Sequence, residues 1–415
     1  MKNLSETERR DVLLNFYSRA LQVVNGRQCV ATFLAQHALP AQKVRVIAIG
    51  KAAASMLQGV LDDHAEAVEA GLIITKAGHL ENVTPSSIPI VQVESAHPYP
   101  DQRSLVAGQQ LIDFIAHTPP NTGLLFLISG GTSALVEVLP EGITIDQLHQ
   151  LNRWLLAQGW PIDKMNQVRK SISLIKAGRL ARLASNHPVL QLVISDVPGD
   201  DLSVIGSGLL TPSVPGNMPD ERLPDWIVHM QAQAAAAPEP GDPCFSNIQS
   251  HIIASNVLLR AEVERLAQIQ GQVVRCNQSL DGAAAIQGVA LAQRLLDGAA
   301  GVYIWGGETV VTLPDQPGQG GRCQHLALSA ARILAGHDNI ALLAVGSDGS
   351  DGPGEVAGAL VDGRTLERAR DAGAHAPELA LQHADAGRFL AASGDLVDTG
   401  PTGTNVMDLV IGLKT

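Results

Sequence analysis

The stretch LLFLISGGTSAL (124–135) decides the fold class. A run of large apolar residues stops at Ser129-Gly130-Gly131-Thr132-Ser133, and a segment compatible with a helix follows. A short apolar run without polar alternation reads as a strand buried on both faces, as in the middle of a parallel sheet. Glycines directly after it let backbone N–H groups approach an anion, and a helix start adds partial positive charge. The same arrangement recurs in VIAIGKAAASM (46–56), LVISDVPGDD (192–201), YIWGGET (303–309) and LLAVGSDGSDG (342–352). In open α/β sheets, ligands sit beyond the carboxyl ends of the strands. One such turn is ordinary; five in one chain predict an α/β enzyme that handles a phosphorylated nucleotide.

Outward from this stretch, strand and helix patterns alternate. Buried strands are expected at VRVIAI (44–49), GLIIT (71–75), IPIVQV (88–93), LLFLIS (124–129) and QLVIS (191–195). Helices are expected at 51–61, 102–116, 144–158 and 162–184, with Asp101 and Pro161 as start signals. Ser5 and Glu8 have the spacing of a capping box for a helix near the start of the chain. Seven prolines fall within 212–243, around the alanine-rich QAQAAAA, and predict an inter-domain connection carrying one helix. Beyond it come HIIAS, QVVRC, VYIW, TVVTL, IALLAV and LVIGL. Only GGE separates VYIW from TVVTL, which predicts a hairpin and a mixed second sheet.

A length of 415 residues exceeds one ordinary core and suits two domains, divided as 1–240 and 241–415. Hydrophobic residues at 45% can fill both, and scarce aromatics (3%) with abundant Ala and Gly favour helix-on-sheet packing over a β-sandwich. A formal net charge of −12 argues against a nucleic-acid partner, which demands clustered Lys and Arg. Cys29, Cys244, Cys276 and Cys323 form no C-x-x-C or zinc spacing, which fits a reducing cytoplasm. MKNLSETERRD is charged, so no signal peptide is expected, and no apolar run reaches the length of a membrane span.

The loop 129–133 is the best phosphate cradle, offering successive N–H donors and the hydroxyls of Ser129, Thr132 and Ser133. No G-x-x-x-x-G-K-[ST] is present, because Gly50 and Lys51 are followed by Ala52, and no G-x-G-x-x-G follows the first strand. Lys51 sits where a strand ends and a helix begins, a poor place for a cation on dipole grounds. That misfit points to a grip on an anion, against the plainer reading of a Lys reaching solvent. Asp196, Asp200 and Asp201 follow a strand and are candidates for Mg²⁺ or for accepting a hydroxyl proton, while turn chemistry is expected of at least one. Arg322, behind two glycines, can clamp a carboxylate or a transferring phosphoryl group. GSDGSDGPGE (346–355) carries Asp348, Asp351 and Glu355 without EF-hand spacing; metal or ribose contact and a tight turn are both open. Met165, Val168, Ile172 and Ile175 form an apolar stripe, and Arg169 and Lys176 share another face that faces either an anion or solvent. His97 precedes Pro98, which favours a rigid turn over catalysis.

Taken together, GKAAASM (50–56), AHPYPD (96–101), SGGTSAL (129–135), MNQVRKSISLIKAGRLA (165–181), ISDVPGDDLSVIGSG (194–208), GGETVVTL (306–313), GGRCQH (320–325), GSDGSDGP (346–353) and TGPTGTNVMDL (399–409) resemble the glycerate 2-kinase family with a C-terminal MOFRL domain. The resemblance implies ATP- and Mg²⁺-dependent phosphorylation of D-glycerate to 2-phosphoglycerate. It implies two α/β domains, the first Rossmann-like with a mostly parallel sheet and the second with a mixed sheet, and an active site in the cleft between them. Lys51 and Arg322 match the residues the family regards as catalytic. On that basis Gly130, Gly131 and Ser133 would hold phosphates, and Asp196 would serve as base or metal partner. Partners would be ATP and a small hydroxy acid, with a homodimer allowed for. Family members also carry the label hydroxypyruvate reductase, so an NAD(P)H-dependent reductase, a kinase of another hydroxy acid and a non-catalytic metabolite sensor stay open. The chain departs from the family pattern at Thr132 (usually Gly), Ser171 (His), Cys323 (Asn), His325 (Glu) and Met407 (Asn).

Overall fold

The computed structural model describes residues 4–80, 88–213 and 223–415, in two compact units. One unit is Gly26–Ile253; the other joins Met1–Asn25 to Ala254–Thr415. These units differ from a split at 240 in two ways. Helix Glu6–Val24 packs with the C-terminal unit, and the strand near 250 extends the first sheet. An apolar helix face is buried by whichever sheet offers it surface, and nothing local in the sequence names that sheet. Part of the proline-rich stretch, 214–222, lies outside the described residues. Its remainder does carry one helix, Asp225–Gln233, but this lies inside the first unit rather than between units.

The first sheet holds β1 (Val44–Ile49), β2 (Val68–Lys76), β3 (Ile90–Ser95), β4 (Gly123–Ile128), β5 (Val189–Ile194) and β6 (Ile248–Ala254), in the order β3-β2-β1-β4-β5-β6. β1 runs parallel to β2 and β4, β2 to β3, and β4 to β5. Every residue of β4 and β5 is buried, as their unbroken apolar runs require. Ile47, Ile49, Leu124, Phe126 and Ile128 share a core with Leu111 and Ile115 of helix Gln102–Ala116 and with Leu180 and Ala184. Helix Ala53–His64 packs on β1, β2 and β4. The chain builds outward from β1 to β3, then returns to place β4 and β5 on the other side. The strand order therefore reverses between β1 and β4, and a crevice opens at the carboxyl ends of such a pair.

A continuous helix over 162–184 is not what forms. Helix Ile162–Ser171 stops, and helix Arg179–Ala184 starts after a turn. Ala177 (φ 54°) and Gly178 (φ 79°) take left-handed backbone there. Their N–H groups donate to the carbonyls of Ser207 (3.0 Å) and Gly208 (2.6 Å) instead of continuing a helical ladder. Non-local bonds thus override local propensity. The expected stripe is buried nonetheless: Met165, Val168 and Ile172 pack with Leu148, Leu151, Ile227 and Met230.

The second sheet holds β7 (Val274–Leu280), β8 (Gly301–Gly307), β9 (Ile340–Gly346), β10 (Gly358–Asp362), β11 (Leu396–Val397) and β12 (Asp408–Lys414), ordered β11-β10-β9-β12-β8-β7. β7 and β8 are parallel, whereas β12 runs antiparallel to both β8 and β9. The mixed sheet is as expected, but the VYIW–TVVTL hairpin is not. β8 already has β7 on one edge and β12 on the other, so TVVTL finds no free edge; Val310 makes only an isolated parallel bridge to Ala283. Helix Arg322–Leu334 packs on β9 and β10, and helix Glu6–Val24 packs on β9, β12 and helix Asn256–Ile269. Ser5 and Glu8 do form the capping box (Glu8 N–H to Ser5 Oγ 3.3 Å, Ser5 N–H to Glu8 Oε2 2.7 Å).

Candidate functional site

The carboxyl ends of β1 and β4 bring together two of the sequence candidates. The N–H of Lys51 donates to the carbonyl of Gly130 (2.9 Å), and that of Ala52 to Ser129 Oγ (3.1 Å). Gly50 makes this approach possible. It holds φ 126°, and a Cβ there would stand 2.2 Å from Ser129 Oγ and 2.5 Å from Ser129 O. Gly50→Ala is therefore expected to destabilise the first unit by roughly 2–3 kcal/mol, from backbone strain plus a clash with backbone atoms. Urea unfolding measures this; a loss below about 0.5 kcal/mol, within the ordinary surface range, would refute the close approach.

The loop 129–133 spends part of its polar inventory on itself. Ser129 is fully buried, and its hydroxyl accepts from Ala52. Thr132, also buried, donates to Ser129 O (2.7 Å) and Ile49 O (3.0 Å). Those two hydroxyls brace the turn rather than face a ligand. Gly130, Gly131 and Ser133 remain for the cradle. Gly131 turns with φ 90°, and a Cβ on it would lie 3.0 Å from Cδ2 of His97 and 3.6 Å from Cγ of Lys51. The imidazole is thus beside the loop, after a cis His97–Pro98 peptide. Ser133 Oγ meets Ser207 Oγ at 2.8 Å, in a run of left-handed residues, Gly206, Ser207 and Gly208. Gly206 packs on Thr132, where a Cβ would lie 3.1 Å from the threonine methyl.

The acidic group after β5 divides by role. Asp196 stands two residues beyond the end of β5, after Ser195, and is half-buried. Asp200 holds φ 56° in a turn closed by its own N–H on Val197 O (3.1 Å). Asp201 accepts from the N–H of Ser203 (2.8 Å), the turn chemistry expected of one of the three. The described residues contain no group of three or more His, Cys, Asp or Glu side chains able to hold a metal ion.

Arg169 and Lys176 do not share a helix face, because the helix breaks between them. Both nevertheless line one cavity of about 130 Å³, with Tyr99, Ser133, Glu137, Asn152 and Asn166. Lys176 Nζ pairs with Glu137 Oε2 (2.5 Å) and donates to Ser133 O (2.8 Å); both charged side chains are buried. Arg169 instead donates from Nε to Asn152 Oδ1 (2.8 Å) and from Nη1 to Asn166 Oδ1 (3.1 Å). Neither Glu137 nor the two asparagines stood out in the sequence.

In the second unit, Arg322 opens its helix beside β12. It grips Asp408 with Nε on Oδ2 (2.6 Å) and Nη2 on Oδ1 (3.0 Å), and Glu308 pairs with Nη1. Asp408 is the first residue of β12 and stands opposite Gly307 of β8 and Gly346 of β9. Burial pushes its carboxyl up to about 7, against the pull of Arg322, with Asp351 and Glu308 adding to the rise. Asp351 caps the helix, accepting from the N–H groups of Cys323 (3.0 Å) and Gln324 (2.8 Å). Burial raises the Cys323 thiol well above its usual range and lowers His325, so neither is charged near neutral pH. Asp348 accepts from the N–H (3.0 Å) and hydroxyl (2.9 Å) of Ser350 within a turn, and Glu355 is exposed. Met407, beside Asp408, holds φ 67°, a conformation asparagine adopts more readily than methionine. Sequence reasoning misses Asp408; the one local signal is a carboxylate opening an otherwise apolar strand, which needs a cation but does not say which one.

Known proteins match the whole chain. A family model described as "Domain of unknown function (DUF4147)" covers residues 12–232, and the MOFRL family model covers 301–408. The D-glycerate 2-kinase of Thermotoga maritima is 34% identical, over 89% of this chain and 90% of its own. The glycerate 2-kinase of Pyrococcus horikoshii is 32% identical, over 90% and 88%. The crystal structure of glycerate kinase from Thermotoga maritima superimposes with a TM-score of 0.84 at 30% identity, covering 98% of this chain and 99% of that one. With identity running through both units, the chain belongs to the glycerate 2-kinase family that carries a C-terminal MOFRL domain.

Proposed function

We propose that the protein is a glycerate 2-kinase, transferring the γ-phosphoryl group of ATP to the 2-hydroxyl of D-glycerate. The observation that carries this reading is the meeting of Lys51 with the glycine loop at the switch point of a parallel sheet, in a chain this similar to a D-glycerate 2-kinase. The glycerate hydroxyl attacks the γ-phosphorus, the bond to the β,γ-bridging oxygen breaks, and ADP leaves. Such transfers depend on positioning and on neutralising charge. Backbone N–H groups of Gly130, Gly131 and Ser133 hold phosphate oxygens, and the ammonium of Lys51 offsets the charge on the group in flight. Arg322 is the second proposed catalytic cation, aimed by Asp408. Asp196 takes the hydroxyl proton or shares a metal with Asp200, and Asp348 contacts the nucleotide. Mg²⁺ held by one or two carboxylates takes its other ligands from phosphate and water, so two aspartates after β5 fit that role without a larger cluster, and it would supply charge neutralisation on the phosphates. No described helix is long and apolar enough to cross a membrane. A cytoplasmic setting, as monomer or homodimer, suits an ATP-dependent enzyme with four free cysteines.

The test pairs ADP release from ATP and D-glycerate with NADH oxidation by hydroxypyruvate. ATP-dependent formation of 2-phosphoglycerate, identified by ³¹P NMR, is expected, and Lys51→Ala should lower kcat roughly 100-fold with the melting temperature kept. NADH oxidation without ATP turnover would replace this reading with a reductase.

A further inference from the structure

The cavity beside the glycine loop has a charge left over. Lys176 is neutralised inside it by Glu137, at 2.5 Å. The oxygens bonded to Arg169 belong to neutral amides, and no carboxylate among the described residues pairs with it. The guanidinium is half-buried, and burial lowers its proton affinity, so the charge is held at a cost that a bound anion would offset. Nε and Nη1 are directed to the asparagines, which leaves Nη2 and the second N–H of Nη1 as donors for a ligand. Asn152 uses its oxygen on Arg169, and its amide N–H groups remain donors for a ligand oxygen.

Size and neighbours narrow the ligand. A cavity of about 150 Å³ accommodates roughly six heavy atoms, and this pocket, open to solvent on one side, is about 130 Å³. That volume suits a three-carbon acid and is too small to enclose a nucleotide. Pro98 and Pro100, with fixed φ, and the exposed Tyr99 wall one side. Ser133, which lines the cavity, also belongs to the loop proposed to hold phosphate. An acid anchored here by its carboxylate has its hydroxyls beside that loop.

Building on the kinase reading, we infer that this cavity is the hydroxy-acid subsite, with Arg169 taking the substrate carboxylate and Asn152 and Asn166 setting the guanidinium's direction. The residue is then what separates a hydroxy acid from an uncharged polyol of the same size. Two variants test this. Arg169→Met removes the anchor and should raise KM for D-glycerate roughly 100-fold, the worth of a charge-assisted pair of hydrogen bonds, while KM for ATP stays within about twofold. The preference for glycerate over glycerol should fall by the same factor. Asn152→Asp places a permanent carboxylate against Arg169 without removing it. That variant should fold at least as stably, by thermal melting, and still raise KM for the acid. A purely structural Arg169 would leave KM unmoved in Asn152→Asp, and a phosphate-binding Arg169 would raise KM for ATP instead; either result overturns the inference. If the wild type turns over another small acid but not glycerate, and its KM depends on Arg169, the subsite stands and the choice of glycerate fails. If no small acid is a substrate and none shifts the wild-type melting temperature, both fail.

Discussion

Arg322→Ala is expected to reduce kcat about 1,000-fold, the scale on which arginines that stabilise a transferring phosphoryl group act. Arg322→Lys should recover little, because an ammonium cannot reproduce the two-point grip on Asp408. Asp408 adds a pH signature. Its carboxylate aims the guanidinium, and burial pushes its pKa up to about 7. The clamping form is therefore present above that pH and lost as pH falls through it, so kcat/KM should decline on the acid side of about 7. Asp408→Asn should lower the plateau and remove that limb. Near-wild-type turnover in Arg322→Ala, or an unchanged acid limb in D408N, would remove the pair from the mechanism.

Glu137→Ala is expected to be the most damaging single change to stability. It strips the partner from a buried ammonium whose side chain is 5% exposed, next to a carboxylate at 2%. Removing one member of a buried pair costs about 3–5 kcal/mol, because the other charge stays behind. Glu137 also accepts from Ser173 (2.6 Å) and from the Val138 N–H (3.0 Å), so two more donors lose a partner. Each kcal/mol shifts the midpoint by about 2–4 °C in a unit of this size, so a drop near 10 °C or more is expected in the transition of the first unit. Adding Lys176→Met to Glu137→Ala should recover part of the loss by removing the stranded charge, while the orphaned donors keep recovery incomplete. Additive losses in the double variant would show that the pair is not coupled.

The central strands of the first sheet were readable within a few residues because buried parallel strands announce themselves as unbroken apolar runs. β1 at 44–49 needed nothing beyond its own residues. Failures came where distant bonds decided the outcome. The helix over 162–184 breaks because Ala177 and Gly178 donate to a loop near residue 207. TVVTL loses its hairpin to β12, a strand roughly a hundred residues away that occupies the edge it would need. β10, five residues long, and β11, two, are too short to show a period. In the candidate site, Lys51 was visible because it breaks local preference, and the loop 129–133 and Arg322 because glycines mark both. Their supports, Asp408, Glu308 and Glu137, were not, because a carboxylate's partner is set by tertiary packing. The hydroxyls of Ser129 and Thr132, which looked available, turned out to hold the loop's own shape.

The position of β12 between β8 and β9, and the packing of helix Glu6–Val24 on that same sheet, bear on the order of events during synthesis. A ribosome delivers helix Glu6–Val24 first and β12 several hundred residues later. Gly26–Ile253 is continuous and can close its sheet as soon as β6 emerges. The helix, with Leu13, Phe16 and Tyr17 on its apolar face, has no sheet to cover until β9 and β12 have met. Until those strands form, the apolar face of this helix lacks its covering sheet, which makes it a segment suited to chaperone capture. Arg322, made before Asp408, is the last proposed catalytic group to gain its anchor.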